Sequence, residues 1–190
     1  TLRHRPDVRV CHTSVDCALN PRIFFRPSAR KTAEEWLGAG SERAGQSASG
    51  KPPWTRAPGL VVRGYVSRLD DSVQPYGLVI PQSVSTDPWR KRRLDVWLHG
   101  RDNKLSELKF IQQRRTSAGQ FTPPDTIVLH PYGRFCNAFK FAGEADVLEA
   151  LAHAKKQYPV DNNRVSIRGF SMGGGGCWHL GAHLAGDWVA

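Results

Sequence analysis

The residues of this sequence best placed to do chemistry lie in one short run, Gly169-Phe170-Ser171-Met172-Gly173. The spacing is G-x-S-x-G, and it has a physical cause. A serine lifted to the tip of a strand-to-helix turn sits in a strained backbone conformation, so the residues two places away on each side must be nearly free of side chain. A helix beginning just after it aims unsatisfied N–H groups, that of Met172 among them, at the spot where a carbonyl under attack develops negative charge. The chemistry implied is nucleophilic, with Ser171 as the attacking hydroxyl. Two bland readings compete: a chance match in a chain with 18 glycines, or a phosphate-binding loop. The run lacks the Gly-Lys-Ser/Thr ending of a Walker A. Its surroundings also favour the turn: Val165, Ile167 and Phe170 follow the turn signal Asn162-Asn163 as a brief strand, and a helical stretch reaches Ala185.

The elements that must position this turn are legible upstream. Residues 1–50 read as a mainly helical extension. One short amphipathic helix carries Val8, Val10, Val15, Ala18 and Leu19 and ends at Asn20-Pro21; a second runs from Ser28 as cap through Ala48. Ser47 to Pro53 reads as a linker, with the boundary to the main domain placed across 51–58. From Gly59 the pattern becomes strand-like. Leu60 to Val66 and Tyr76 to Pro81 predict a hairpin with its tip at Asp70-Asp71-Ser72. Leu94 to Leu98 predicts a third strand and Asp125 to Leu129 a fourth, separated by a helix capped at Ser106. Gly143 to Tyr158 predicts the best helix, with Val147, Leu148, Leu151 and Ala154 on one face and Lys155-Lys156 at its negative end. A hairpin followed by strand–helix alternation predicts an α/β fold, a mostly parallel sheet with helices on both faces and reactive groups beyond the strand ends. Three such exits carry suggestive residues: His99-Gly100, His130-Pro131-Tyr132-Gly133 and Ser171.

Composition narrows the rest. No apolar run reaches transmembrane length, and no signal-peptide pattern is visible. The formal charge of +10 raises the question of a nucleic-acid partner. The densest basic run, Trp89 to Arg93, lies between strand-like segments and the remaining basic residues are dispersed, so it reads as a solvated loop and no nucleic acid is expected. Cys11, Cys17, Cys136 and Cys177 have neither zinc-module nor disulfide-scaffold spacing. His179 and His183 share a helix face at i, i+4, the spacing of a metal pair. With no Glu at the second position and no third ligand legible, they read as surface or packing histidines, and no metal or organic cofactor is expected.

VWLHGR (Val96 to Arg101), DTIVLHPYGR (Asp125 to Arg134) and RVSIRGFSMGG (Arg164 to Gly174) occur in the order found in α/β-hydrolases. The chain from about residue 58 to 190 resembles the bacterial prolyl-oligopeptidase-like serine peptidases and esterases. The resemblance implies an α/β-hydrolase fold in which Ser171 is the nucleophile, the Met172 N–H is one oxyanion donor, and the backbone N–H of Arg101 is the other. His99 reads as a histidine bracing its loop; Tyr132 and Arg134 read as pocket-lining residues or as members of a packed loop. The family's Asp or Glu and His follow the nucleophile on later loops. His179 and His183 lie roughly 12 and 18 Å along the helix from the serine, too far for a base that must come within about 3 Å. The 190 residues are therefore expected to be the N-terminal part of a hydrolase, an incomplete fold lacking its acid and base and giving little or no turnover, arising from a truncated frame or from a short protein that has lost catalysis. A peptide or ester substrate fits the machinery equally well. The alternative is a non-catalytic α/β binding protein whose basic surface holds an acidic partner.

Overall fold

A computed structural model describes residues 4–19, 28–50 and 52–190; the expected helix stop at Asn20-Pro21 and the linker residue Lys51 lie outside them. The elements in order are α1 (Arg5–Leu19), α2 (Ser28–Ala48), β1 (Gly59–Val66), β2 (Val73–Ile80), α3 (Ser83–Thr86), β3 (Arg92–Leu98), α4 (Glu107–Thr116), β4 (Ile127–Pro131), α5 (Ala142–Gln157), β5 (Val160–Gly169) and α6 (Met172–His183).

β1 and β2 form the predicted antiparallel hairpin. Its tip closes where Ser67 N–H donates to the Ser72 carbonyl at 2.9 Å, with Asp71 at a φ of 55°. The sheet order is β1-β2-β4-β3-β5. β2 is antiparallel to both of its neighbours, while β4, β3 and β5 are parallel, so four of the five strands point one way. The chain leaves β3 for β4 on one side and returns to β5 on the other. Strand order thus reverses at β3, and the crevice beyond the ends of β3 and β5 is where such a sheet accepts ligands.

Helices cover both faces. On one, α5 and α6 close over Leu78, Leu94, Val96, Leu98, Ile127, Leu129 and Val165, all essentially without solvent contact. Burying each such side chain contributes about 2 kcal/mol. On the other face, α1, α2 and α4 share a second core built on Val10, Val15, Trp36, Val62, Leu108 and Ile111. The N-terminal helices are thus packed directly on the sheet. Asp7 of α1 fixes them there: its carboxylate accepts from Arg63 Nε at 2.8 Å, Gly64 N–H at 3.0 Å and Trp54 Nε1 at 3.2 Å. Arg63 and Asp7 are both buried, so removing either partner would strand the other's charge in the interior. Trp54 stands in a 3-10 turn, Pro53–Thr55, within residues 51–58, and α2 ends at Ala48, as expected.

Local signals explain the helices. The Ser106 hydroxyl accepts from Lys109 N–H at 3.2 Å and caps α4, while Arg114 and Arg115 sit in its last turn. Two details differ from the sequence reading. Asn162-Asn163 do not precede the last strand but lie within it: β5 pairs with β3 at Arg92–Val160 and resumes at Leu94–Val165, so an irregularity absorbs the turn-forming residues. The basic run is no simple loop either, because Arg92 opens β3 with its guanidinium buried. Arg90 pairs with Asp125 at 2.7 Å and Arg93 with Asp95 at 2.6 Å, while Trp89 is 90% exposed. Among the described residues no helix is long and apolar enough to cross a membrane.

Candidate active site

β5 ends at Gly169 and α6 starts at Met172, leaving Phe170 and Ser171 to make the turn. Ser171 has φ 54° and ψ −114°, a region that residues with a side chain rarely enter. Two backbone hydrogen bonds hold the bend: Phe170 N–H to the Leu98 carbonyl at 3.2 Å, and Gly173 N–H to the Phe170 carbonyl at 2.9 Å. The flanking glycines are required by the space. A Cβ on Gly173 would be driven into the Leu98 carbonyl, and one on Gly169 into the Gly173 carbonyl. Gly100 is crowded from above, since a Cβ there would stand 3.1 Å from the Phe170 ring. Phe170, read as the last apolar residue of the strand, is 60% exposed because it already belongs to the turn.

The hydroxyl-bearing Ser171 is exposed at this tip. Met172 occupies the first helical position, where an N–H has no intrahelical acceptor. Arg101 lies just beyond the end of β3 on the exposed rim, with its Nε donating to Asn103 Oδ1 at 2.8 Å. Leu98 and Gly169 are paired across β3 and β5, so Arg101 and Met172 each stand three residues past a matched couple. The sheet therefore delivers the two backbone segments to the same crevice from adjacent strands.

Histidines are nearby in sequence but engaged elsewhere. His99 lies with Nδ1 2.9 Å from the Gly100 carbonyl and Nε2 2.9 Å from the Tyr132 carbonyl, so it joins the exits of β3 and β4. Both partners are carbonyls, so the ring meets them through whichever nitrogen carries its proton. His130 is buried, and its Nδ1 faces an Arg114 nitrogen at 3.1 Å. Burial first, then the Arg114 charge, pushes its pKa down to about 3, so it is neutral and held by α4. His179 points away from the turn to Glu144 Oε2, 2.6 Å distant. Among the described residues no histidine or carboxylate hydrogen-bonds the Ser171 side chain.

The remaining expected residues belong to packing. The Tyr132 hydroxyl donates to the Leu105 carbonyl at 3.0 Å, and Arg134 forks onto Asp70 at 2.7 and 3.1 Å. The loop reading of both thus holds over the pocket reading. Gly133 N–H donates to Asp146 at 2.6 Å, and Tyr65 O–H donates to the same carboxylate. Phe139 is a contributor that sequence reasoning misses. Its buried ring meets His99 edge-on with centroids 5.1 Å apart, and it lies where side chains on Gly133 or Gly176 would have to go. Nothing in FCNAFKF (Phe135 to Phe141) has the periodicity that would single it out.

No protein-family model matches the chain, and no curated protein does. Solved structures do. A thermostable esterase superposes with a TM-score of 0.51 at 22% identity over 68% of this chain and 39% of its own. The fluorophosphonate-binding serine hydrolase F of Staphylococcus aureus, in a substrate-bound structure, gives 0.53 at 16% identity over 70% of this chain and 55% of its own. The fold is that of the α/β-hydrolases. At these identities the likeness is one of architecture, and the chain spans about two fifths to just over half the length of these two proteins.

Proposed function

We propose that this chain carries the nucleophile half of a serine hydrolase acting on carboxylic esters or peptide bonds. The observation that carries the reading is the backbone of Ser171: a non-glycine residue at φ 54° and ψ −114°, between two glycines that tolerate no Cβ, at a strand-to-helix junction. In the proposed reaction Ser171 Oγ attacks the substrate carbonyl carbon, and the carbonyl π pair moves onto oxygen. The N–H groups of Met172 and Arg101 receive that oxyanion. Collapse expels the alcohol or amine and leaves an acyl-enzyme, which water then hydrolyses. A general base must accept the serine proton, and residues 4–19, 28–50 and 52–190 bring none to it. The reading leaves that base and its acidic partner to residues other than those described. The name of the esterase relative puts esters ahead of peptides.

The test is labelling of the protein, expressed with its natural downstream sequence, by a fluorophosphonate probe. The reading expects one label, on Ser171, abolished by Ser171→Ala; the 190-residue chain by itself is expected to turn over an activated ester barely above background. A well-folded longer protein that takes no label would overturn the hydrolase reading and favour a non-catalytic binding protein on the same fold.

A further inference from the structure

The far end of α6 holds a cluster that the hydrolase reading does not use. His179 and His183, four residues apart, project from the same face of α6, with ring centroids 4.3 Å apart. Glu144, in the first turn of α5, comes to meet them, its Oε2 2.6 Å from His179 Nε2. One ligand atom from each of the three residues lies within 4.8 Å of the other two. Spacing within the sequence shows the histidine pair; only the packing of α5 against α6 supplies the third donor, from 35 residues upstream.

We propose that Glu144, His179 and His183 form a binding site for a divalent transition-metal ion of the zinc class. Two imidazole nitrogens and one carboxylate oxygen are a zinc ligand set, with a fourth tetrahedral position left for water. The same donors suit cobalt, nickel and copper and are poor for magnesium or calcium, which prefer all-oxygen shells. Metal–ligand bonds of about 2.1 Å place tetrahedral ligand atoms about 3.4 Å apart. To reach that size the His179 Nε2–Glu144 Oε2 pair, now a hydrogen bond of 2.6 Å, opens as the ion replaces the shared proton, and the exposed His183 side chain turns inward. Glu144 and His179 are held half-buried at 30% and 19% exposure, so two of the three donors are already pre-positioned. A bound ion would tie the first turn of α5 to the last turn of α6, the helix that carries Ser171 at its opposite end. This inference stands on the cluster geometry and is independent of the hydrolase reading.

The experiment is titration of the metal-free 190-residue chain with Zn²⁺ by calorimetry, alongside Co²⁺ by visible absorption, for the native sequence, His183→Ala and Glu144→Gln. The expected result is one Zn²⁺ per chain, a raised melting temperature, and affinity at least 10-fold weaker in each variant. Co²⁺ should give d–d bands without the near-ultraviolet sulfur charge-transfer band that cysteine ligation produces. His183 is exposed, so its alanine variant should keep the native circular dichroism; Glu144→Gln preserves size if it does not. Equal affinity in the native chain and in a folded variant, a sulfur band, or no uptake at micromolar Zn²⁺ would each overturn the proposal and leave His179–Glu144 as a plain hydrogen bond.

Discussion

The exits of β4 and β5 are built from similarly reactive residue types and are treated in opposite ways. After β4, every group that looks chemical is tied down: His130 to Arg114, Tyr132 to the Leu105 carbonyl, Gly133 N–H to Asp146, Arg134 to Asp70. After β5, the chain accepts a strained φ of 54° at Ser171, and the residue it strains is exposed, with no side-chain partner among the described residues. Each of these groups at the β4 exit has a fixed partner within the fold, although His130 Nε2 and Arg134 Nε stay buried without one. A polar group held in an unfavourable conformation and left unpaired is there for something that arrives later. Under the proposed function, the contrast gives structure to one strand exit and chemistry to the next but one in the sheet.

The largest expected effect lies at the glycine that lets the β5 turn close. Gly173→Ala pushes a methyl group into the Leu98 carbonyl and should cost about 3 kcal/mol, read as a lower denaturation midpoint in urea. If it costs nothing, the close approach of the turn to β3 is wrong.

Next is the anchor of the β4 exit. Asp146→Ala strips the acceptor from two buried donors, Gly133 N–H and Tyr65 O–H, and should cost about 2 kcal/mol near neutral pH. Its pH dependence has a definite sign. Burial, the dominant cause, raises the Asp146 pKa to about 6, against about 3.9 for a free aspartate. The folded state therefore holds a proton that the unfolded state releases. The stability so gained is fully present below about pH 4 and is lost as pH rises through about 6. Urea melts at pH 4.5 and 7.5 should show the penalty of Asp146→Ala growing toward acid; a penalty that shrinks toward acid would mean the carboxylate is favoured in place.

The smallest effect is expected at Arg134. Its fork onto half-exposed Asp70 is a surface pair, so Arg134→Ala should cost under about 1 kcal/mol, and less in 0.5 M salt. A large, salt-insensitive loss would show that the β4 exit depends on this pair more than its exposure allows.

Much of this architecture is legible in the sequence because it is written in short-range pattern. The hairpin announces itself through Asp70-Asp71-Ser72, α4 through Ser106, and α5 through Val147, Leu151 and Ala154 with Lys155-Lys156 behind them. The G-x-S-x-G spacing likewise encodes a local steric demand. What pattern misreads is context. Asn162-Asn163 look like a turn by type, yet β3 carries them as an irregularity inside β5. What pattern cannot contain is partnership across the fold. Asp7 meets Arg63 from 56 residues away and Glu144 meets His179 from 35, each through the docking of whole helices. Phe139 is invisible for the same reason, since its value lies in meeting His99, Gly133 and Gly176, which only the folded chain brings together.

The central claim, that the β5 turn holds Ser171 in a conformation a side chain resists, is tested most directly by Ser171→Gly. Glycine enters that region without strain, which relieves about 1–3 kcal/mol, while its looser unfolded state takes back under about 1. Urea denaturation should therefore show the glycine variant more stable than the native chain by about 1 kcal/mol. A glycine variant less stable than the native chain would mean that Ser171 sits in an ordinary conformation, and the chemical reading of this turn would fall with it.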